Sequence, residues 1–318
     1  MPDVETVREL AARLSNWGRW GEDDQRGTLN LLTDERVRDA ARCIRSGRRF
    51  SLALPFDEHG PQSGLGGRFN PIHLMIRDGG DISTNSIVTD FYGGADRHIR
   101  STDDLVIMPL QSGTQWDALA HVFFDGAMYN GHPPAAVSSR GASRNDITHG
   151  SDRLAGRGVL LDMARHHGVD PLPGGHVIDG TELTACAAAQ GVPIRPGDCL
   201  LIRTGQLGAC RGTWEGFAGA AAPGLGLDSA GWLREHDIAA VATDTWAMEA
   251  QPCETPDVYL PLHIILISRM GLWVGEIFDL DALAADCAAD GQYDFFFAAP
   301  PLPFTRAVGS PVNPIVVK

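Results

Sequence analysis

Gln111, Gln115, Asp117 and His121 fall within eleven residues, Gln-Ser-Gly-Thr-Gln-Trp-Asp-Ala-Leu-Ala-His, spaced so that their side chains can converge on one point. Asp117 and His121 stand four apart. On a helix they would share a face, where a carboxylate orients an imidazole or raises its basicity. Such a pair suits proton transfer. The same spacing also serves a local capping or packing pair. Gln111 and Gln115 add amides, which can donate hydrogen bonds to a substrate carbonyl or offer weak, hard oxygen donors to a cation.

Other chemistries find no footing. There is no Gly-x-Ser-x-Gly elbow and no P-loop. Gly64-Leu65-Gly66-Gly67 lacks the spacing of a dinucleotide fingerprint, and in Gly224-Leu225-Gly226 the third glycine position is Ser229. His73 lies in a strand-like run and reads as a core or edge histidine. His132, His166, His167, His176 and His236 sit near turns or helix ends and read as surface residues. Asp244 closes a buried strand, a place that often faces a site in α/β proteins, although a turn-capping aspartate fits equally well. Arg203 could grip a substrate carboxylate or pair with an acid. Trp116 could line a pocket or pack in the core.

The chain has 318 residues and a formal net charge of −14, with 40 acidic and 26 basic side chains. That balance argues against nucleic acid or an anionic membrane as partner, both of which need a positive field. The start, Met1-Pro2-Asp3-Val4-Glu5, has no basic region followed by an apolar run, so no secretory signal is expected and a cytoplasmic location is. The six cysteines form no Cys-x-x-Cys pair and read as reduced, mostly buried thiols.

The elements that must position these residues follow from periodicity. Val4, Val7, Leu10, Ala11 and Leu14 predict an N-terminal helix, and Thr33 caps a second one. Ser51–Leu54, His73–Ile76, Val106–Met108, Val159–Met163, Cys199–Arg203, Ile238–Ala242 and Leu272–Ile277 predict strands. Gly60–Gly67 predicts a loop of the kind that covers active sites. Helices are expected from Thr181 to Gln190, capped by Thr181, from Asp228 as cap to His236, and from Asp281 to Ala289. Leu262–Ile267 could be strand or helix. The proline-rich stretch Pro300–Pro314 is expected to run extended over the surface. No composition break divides the chain. Residues 1–50 read as a helical arm and 51–318 as an α/β domain, together one structural unit.

The Gln111–His121 stretch resembles the signature His-x-Gly-Thr-His-x-Asp-x-x-x-His of the cyclase family, which includes bacterial kynurenine formamidases and isatin hydrolases. Gln111 and Gln115 take the places of the first two histidines. The resemblance extends to Trp20–Asn30, to Pro196-Gly197-Asp198-Cys199-Leu200-Leu201-Ile202-Arg203-Thr204-Gly205, and to His263 followed by Gly275-Glu276. It implies a single α/β domain of the swivelling β/β/α type, assembled as a homodimer or higher homo-oligomer. It also implies a metal held by Gln111, Gln115, Asp117, His263 and Glu276, with His121 as the proton-transfer residue. The exchange of imidazole for amide oxygen weakens zinc and favours Mn²⁺, Mg²⁺ or Ca²⁺, or no metal at all.

The first expected function is therefore a metal-dependent hydrolase, using Mn or Zn, that opens an amide or lactone bond in a small cyclic or aromatic metabolite. The alternatives are a metal-independent cyclase, dehydratase or isomerase of secondary metabolism, and a non-catalytic small-molecule binding protein.

Overall fold

The apolar runs predicted as strands become the middle of one large sheet in the computed structural model, which describes residues 2–84 and 100–318. Part of the Phe50–Leu110 region, residues 85–99, lies outside the described residues. Strands β1 (Arg49–Ser51), β4 (Gln115–Asp117), β7 (Ala155–Asp162), β9 (Cys199–Arg203), β11 (Ala240–Thr243), β12 (Trp273–Glu276), β13 (Asp294–Ala298), β14 (Gly309–Pro311) and β15 (Ile315–Val317) form a nine-stranded mixed sheet. Its order is β1-β15-β13-β7-β9-β11-β12-β4-β14. The central β7, β9, β11 and β12 run parallel. Their residues are buried with little alternation, as expected of parallel strands covered on both faces. Among the described residues three ribbons complete the strands: β2 (Ile72–Arg77) with β3 (Asp103–Ile107), β5 (Val137–Ser138) with β6 (Gly141–Ala142), and β8 (Val177–Ile178) with β10 (Gly224–Leu225). The α/β class expected from the sequence is the class observed.

Several local expectations are met and several are corrected. The helix Val4–Leu14 is capped by Asp3, and Thr33 caps Asp34–Ala40. The arm does not stand apart, because Val7, Ala11 and Leu14 join the core that also holds Leu160, Leu201 and Val241. The cap of Gly180–Ala189 is Asp179, whose carboxylate accepts from the Glu182 N–H, not Thr181. Asp228 sits in the first turn of Leu227–Glu235, and its carboxylate accepts from Gly180 N–H instead of capping its own helix. Leu262–Ile267 resolves as helix: Pro261–His263 runs into a π-helical stretch, Ile264–Met270. The proline-rich stretch is not wholly superficial, since β14 lies within it, buried against β4. All six cysteines are free, four of them buried. Among the described residues no helix is long and apolar enough to cross a membrane.

The Trp20–Asn30 segment serves the fold. Asp24 accepts from Gly27 N–H, the Asn30 amide and the Tyr129 hydroxyl. Gly27 is left-handed and lies so close to the Gly271 carbonyl that a Cβ could not be accommodated. This seats the chain beneath the end of the π-helical stretch that follows His263.

Candidate active site

Strand pleating decides which residues of the central motif face a site. Gln115 and Asp117 stand on one face of β4, and Trp116 on the other. The antiparallel partner β12 places Glu276 directly across from Gln115. The Gln115 amide donates to Glu276 Oε2 at 2.8 Å. From the short helix after Leu260 comes His263, whose Nε2 lies 3.0 Å from Glu276 Oε1. Donor atoms of Asp117, His263 and Glu276 all lie within 4.8 Å of one another, and all three residues are buried.

The backbone on either side is constrained. Ile277, immediately after Glu276, has φ 61°, and Leu260, three residues before His263, has φ 52°. A β-branched residue in the left-handed region is costly and persists only when the surroundings impose it. Here Ile277 N–H donates to the Thr245 carbonyl, and its own carbonyl accepts from the Thr114 hydroxyl at 2.6 Å.

Glu249 gave no signal in the sequence. It is buried, and it accepts from the backbone N–H of Leu262 and His263 and from His263 Nδ1 at 2.7 Å. It thus caps a helix start and orients the ring whose other nitrogen meets Glu276. Burial opposes the imidazolium form of His263, but hydrogen bonds and charge from Glu249 and Glu276 outweigh it and hold the ring well above its ordinary pKa. Burial pushes Asp117 above the usual carboxylate range, His121 pulls it back, and Glu276 adds to the rise.

The group fits a divalent cation. Two of its buried oxygens, Asp117 Oδ1 and Gln115 Oε1, have no hydrogen-bond partner. Two carboxylates, an imidazole and an amide oxygen make an oxygen-rich donor set. The imidazole is also backed by a carboxylate, the usual arrangement behind a metal-bound histidine. Gln111 comes from the segment just before β4. Its amide fills the space over Gly309, across the ladder from Asp117, and among the described residues no hydrogen bond joins it to the other donors.

His121 lies in the same cleft, but not on a helix with Asp117. Asp117 ends β4, and His121 follows in a turn, its N–H bonded to the Ala118 carbonyl. Its Nε2 is 3.9 Å from Asp117 Oδ1, and its side chain is 25% exposed. The cleft above has a volume of about 600 Å³. Phe123, Trp246 and Tyr259 wall it, with Arg68 beside Trp246 at 5.2 Å from the ring centre. The predicted Gly60–Gly67 loop does cover the site: Leu65 and Gly66 line the cleft, and Gln62 ties the loop to the Trp246 indole and the Ser112 carbonyl.

Three other candidates lie elsewhere. Trp116 is fully buried, donates to the Ala299 carbonyl and meets Phe278 and Phe297 edge-on. Trp116→Ala should therefore cost about 3–5 kcal/mol of stability, read as a fall in the denaturation midpoint. Asp244 accepts from Thr204 N–H and hydroxyl and from Gly205 N–H, and burial pushes it up to about 6. It braces a turn. Arg203 is spent on Asp162, Asp170 and Asp281, at 3.1, 2.7 and 2.9 Å. It locks helix and loop ends to β9 and is not among the cleft's lining residues.

Residues 50–250 match the family model described as "Putative cyclase". The chain belongs to the cyclase family. A solved structure described as a novel cyclase is 40% identical to this cyclase, covers 96% of it and 99% of its own chain, and superposes with a TM-score of 0.85. Isatin hydrolase A from Labrenzia aggregata, bound to benzyl benzoate, is 17% identical over 87% of this cyclase and 94% of its own chain, with a TM-score of 0.60. A predicted metal-dependent hydrolase from Bacillus stearothermophilus is 17% identical over 85% and 97%, with a TM-score of 0.51. At those identities the last two share the fold of this cyclase. No curated protein matches it.

Proposed function

We propose that this cyclase is a metal-dependent hydrolase that opens an amide or lactone bond in a small cyclic or aromatic molecule. The observation that carries this reading is the convergence of Asp117, His263 and Glu276, with two unpartnered buried oxygens, beneath a cleft lined by His121. The names of the isatin hydrolase and metal-dependent hydrolase neighbours point the same way.

Asp117, His263 and Glu276 would hold a divalent cation, with the Gln115 amide oxygen as a further donor. Such a cation supplies Lewis acidity to a carbonyl and lowers the pKa of a water. The oxygen-rich set favours Mn²⁺ relative to an all-imidazole site, with Zn²⁺ next. His121 takes a proton from the attacking water as the C–O bond forms. It returns that proton to the leaving nitrogen or oxygen as the old bond breaks. Glu249 keeps the His263 ring in place throughout. Phe123, Trp246 and Tyr259 offer flat apolar walls, and the cleft volume suits a small molecule.

Chelation of protein purified without added metal should abolish hydrolysis of a cyclic amide or lactone panel, and Mn²⁺ or Zn²⁺ should restore it. His121→Ala should lower kcat by roughly 10²–10⁴, while His132→Ala leaves it unchanged. Full activity in metal-free protein would overturn the hydrolase reading. It would favour a metal-independent cyclase or isomerase, for which one feature speaks: Gln115, Glu276, His263 and Glu249 already form a continuous hydrogen-bonded chain.

A further inference from the structure

Two histidines expected to be unremarkable surface residues meet a glutamate away from the cleft. We propose that His167, His176 and Glu182 form a second metal site, selective for zinc or a similar transition metal. None of the three lines the cleft.

Glu182 lies between the two imidazoles and offers one oxygen to each. Oε1 is 3.3 Å from His167 Nε2, and Oε2 is 3.1 Å from His176 Nε2. The ring centres of the two histidines are 4.9 Å apart. One ligand atom from each residue can be chosen so that all lie within 4.8 Å of one another. In tetrahedral zinc with bonds of about 2.0–2.1 Å, neighbouring ligand atoms stand about 3.3 Å apart. The two spacings, one to each carboxylate oxygen, match a site in which Glu182 binds through both oxygens and both imidazoles present Nε2. Two imidazoles and a carboxylate make a donor set zinc accepts, with water as fourth ligand. The side chains are 25–30% exposed, which leaves one side open to that water.

Backbone hydrogen bonds and one side-chain cap hold the three residues' segments in place. His167 N–H bonds to the Met163 carbonyl, at the end of the helix Met163–His166. His176 N–H bonds to Pro173, and its carbonyl accepts from Gly224. Glu182 N–H is held by Asp179 at the start of Gly180–Ala189. A site prearranged in this way loses little freedom on taking up an ion. An ion there would fasten three separate segments to one another. Exposed histidine–glutamate pairs alone contribute little to stability, so bound zinc has a clear signature.

The test uses the untagged full chain stripped with chelator, with Asp117→Asn as background so that the cleft contributes nothing. Zinc titration followed by elemental analysis should find one tightly held equivalent in Asp117→Asn. Adding His167→Ala and His176→Ala should remove it, with roughly a hundredfold or greater loss of zinc affinity, since losing even an outer partner of a ligand costs 10–100-fold. Zinc should raise the melting temperature of Asp117→Asn and not of the triple variant. Matching circular dichroism and melting in chelator show that the triple variant is folded. Equal zinc content in the two proteins, an equal zinc-induced shift, or no zinc in Asp117→Asn would each overturn the proposal.

Discussion

Asp117→Asn should lower hydrolysis by about a thousandfold and release the cleft cation, because losing several kcal/mol of transition-state stabilisation costs a factor of ten for each 1.36 kcal/mol. Asparagine keeps the shape of the side chain and removes its charge. Asp117 and Glu276 are the two carboxylates that the sheet aims at one point, and Asp117 Oδ1 has no hydrogen-bond partner. The ion-free protein should respond in the opposite sense. Burial raises the Asp117 pKa in the folded chain. The folded state therefore holds that proton more tightly than the unfolded chain does, and stability falls as pH climbs through the raised pKa. Asn removes this loss, so the stripped variant should melt higher than the stripped parent above that pKa, by a margin that shrinks in acid. Metal content, kcat/KM and melting curves across pH check the three statements separately. A variant that keeps its metal and its rate would show that Asp117 is a bystander.

Glu249→Ala should weaken metal binding by about 10–100-fold, as expected when the carboxylate behind a ligating histidine is lost. It should also destabilise the protein by about 3–5 kcal/mol, the usual cost of breaking a buried charged pair. Both effects share one cause. Glu249 satisfies the N–H groups of Leu262 and His263 and fixes His263 Nδ1, so its removal leaves buried donors unpaired and the ring free to turn. Glu249→Gln separates the two. It retains an acceptor and most of the fold, but lacks the charge that sustains the histidine as a ligand. Calorimetric metal titration beside chemical denaturation reads both quantities, and unchanged affinity in both variants would remove Glu249 from the site.

The sequence was most legible where a single local pattern decided the structure. Cys199–Arg203 is a strand at both predicted ends because an apolar run follows a Pro-Gly-Asp turn. Thr33 caps its helix because the side chain needs only its own neighbours. Asp117, His263 and Glu276 were recognised through resemblance, and the structure brings them together. What stayed hidden depends on distant partners. Glu249 belongs to no motif, and its role exists only because the fold carries it to His263. Arg203 sits in a conspicuous element, yet its three aspartate partners are scattered from Asp162 to Asp281. The strand Gly309–Pro311 was invisible among prolines because its pairing with β4 is set some two hundred residues away. Thr181 reads as a cap from its type alone, but Asp179, two residues earlier, does the work, a difference no composition rule resolves.

The three residues of β4 also act as a proofreading device for folding. Odd positions carry the chemistry and the even one carries the anchor, held between β12 and β14. A slip of one residue would drive Asp117 into the aromatic nest of Phe278 and Phe297 and expel the indole into the cleft. Such a sheet would not close. A chain that packs Trp116 correctly has therefore already aligned Gln115 and Asp117, and mutational drift that spoils one spoils the other. Selection for a foldable centre thus preserves the site's alignment before any substrate is met.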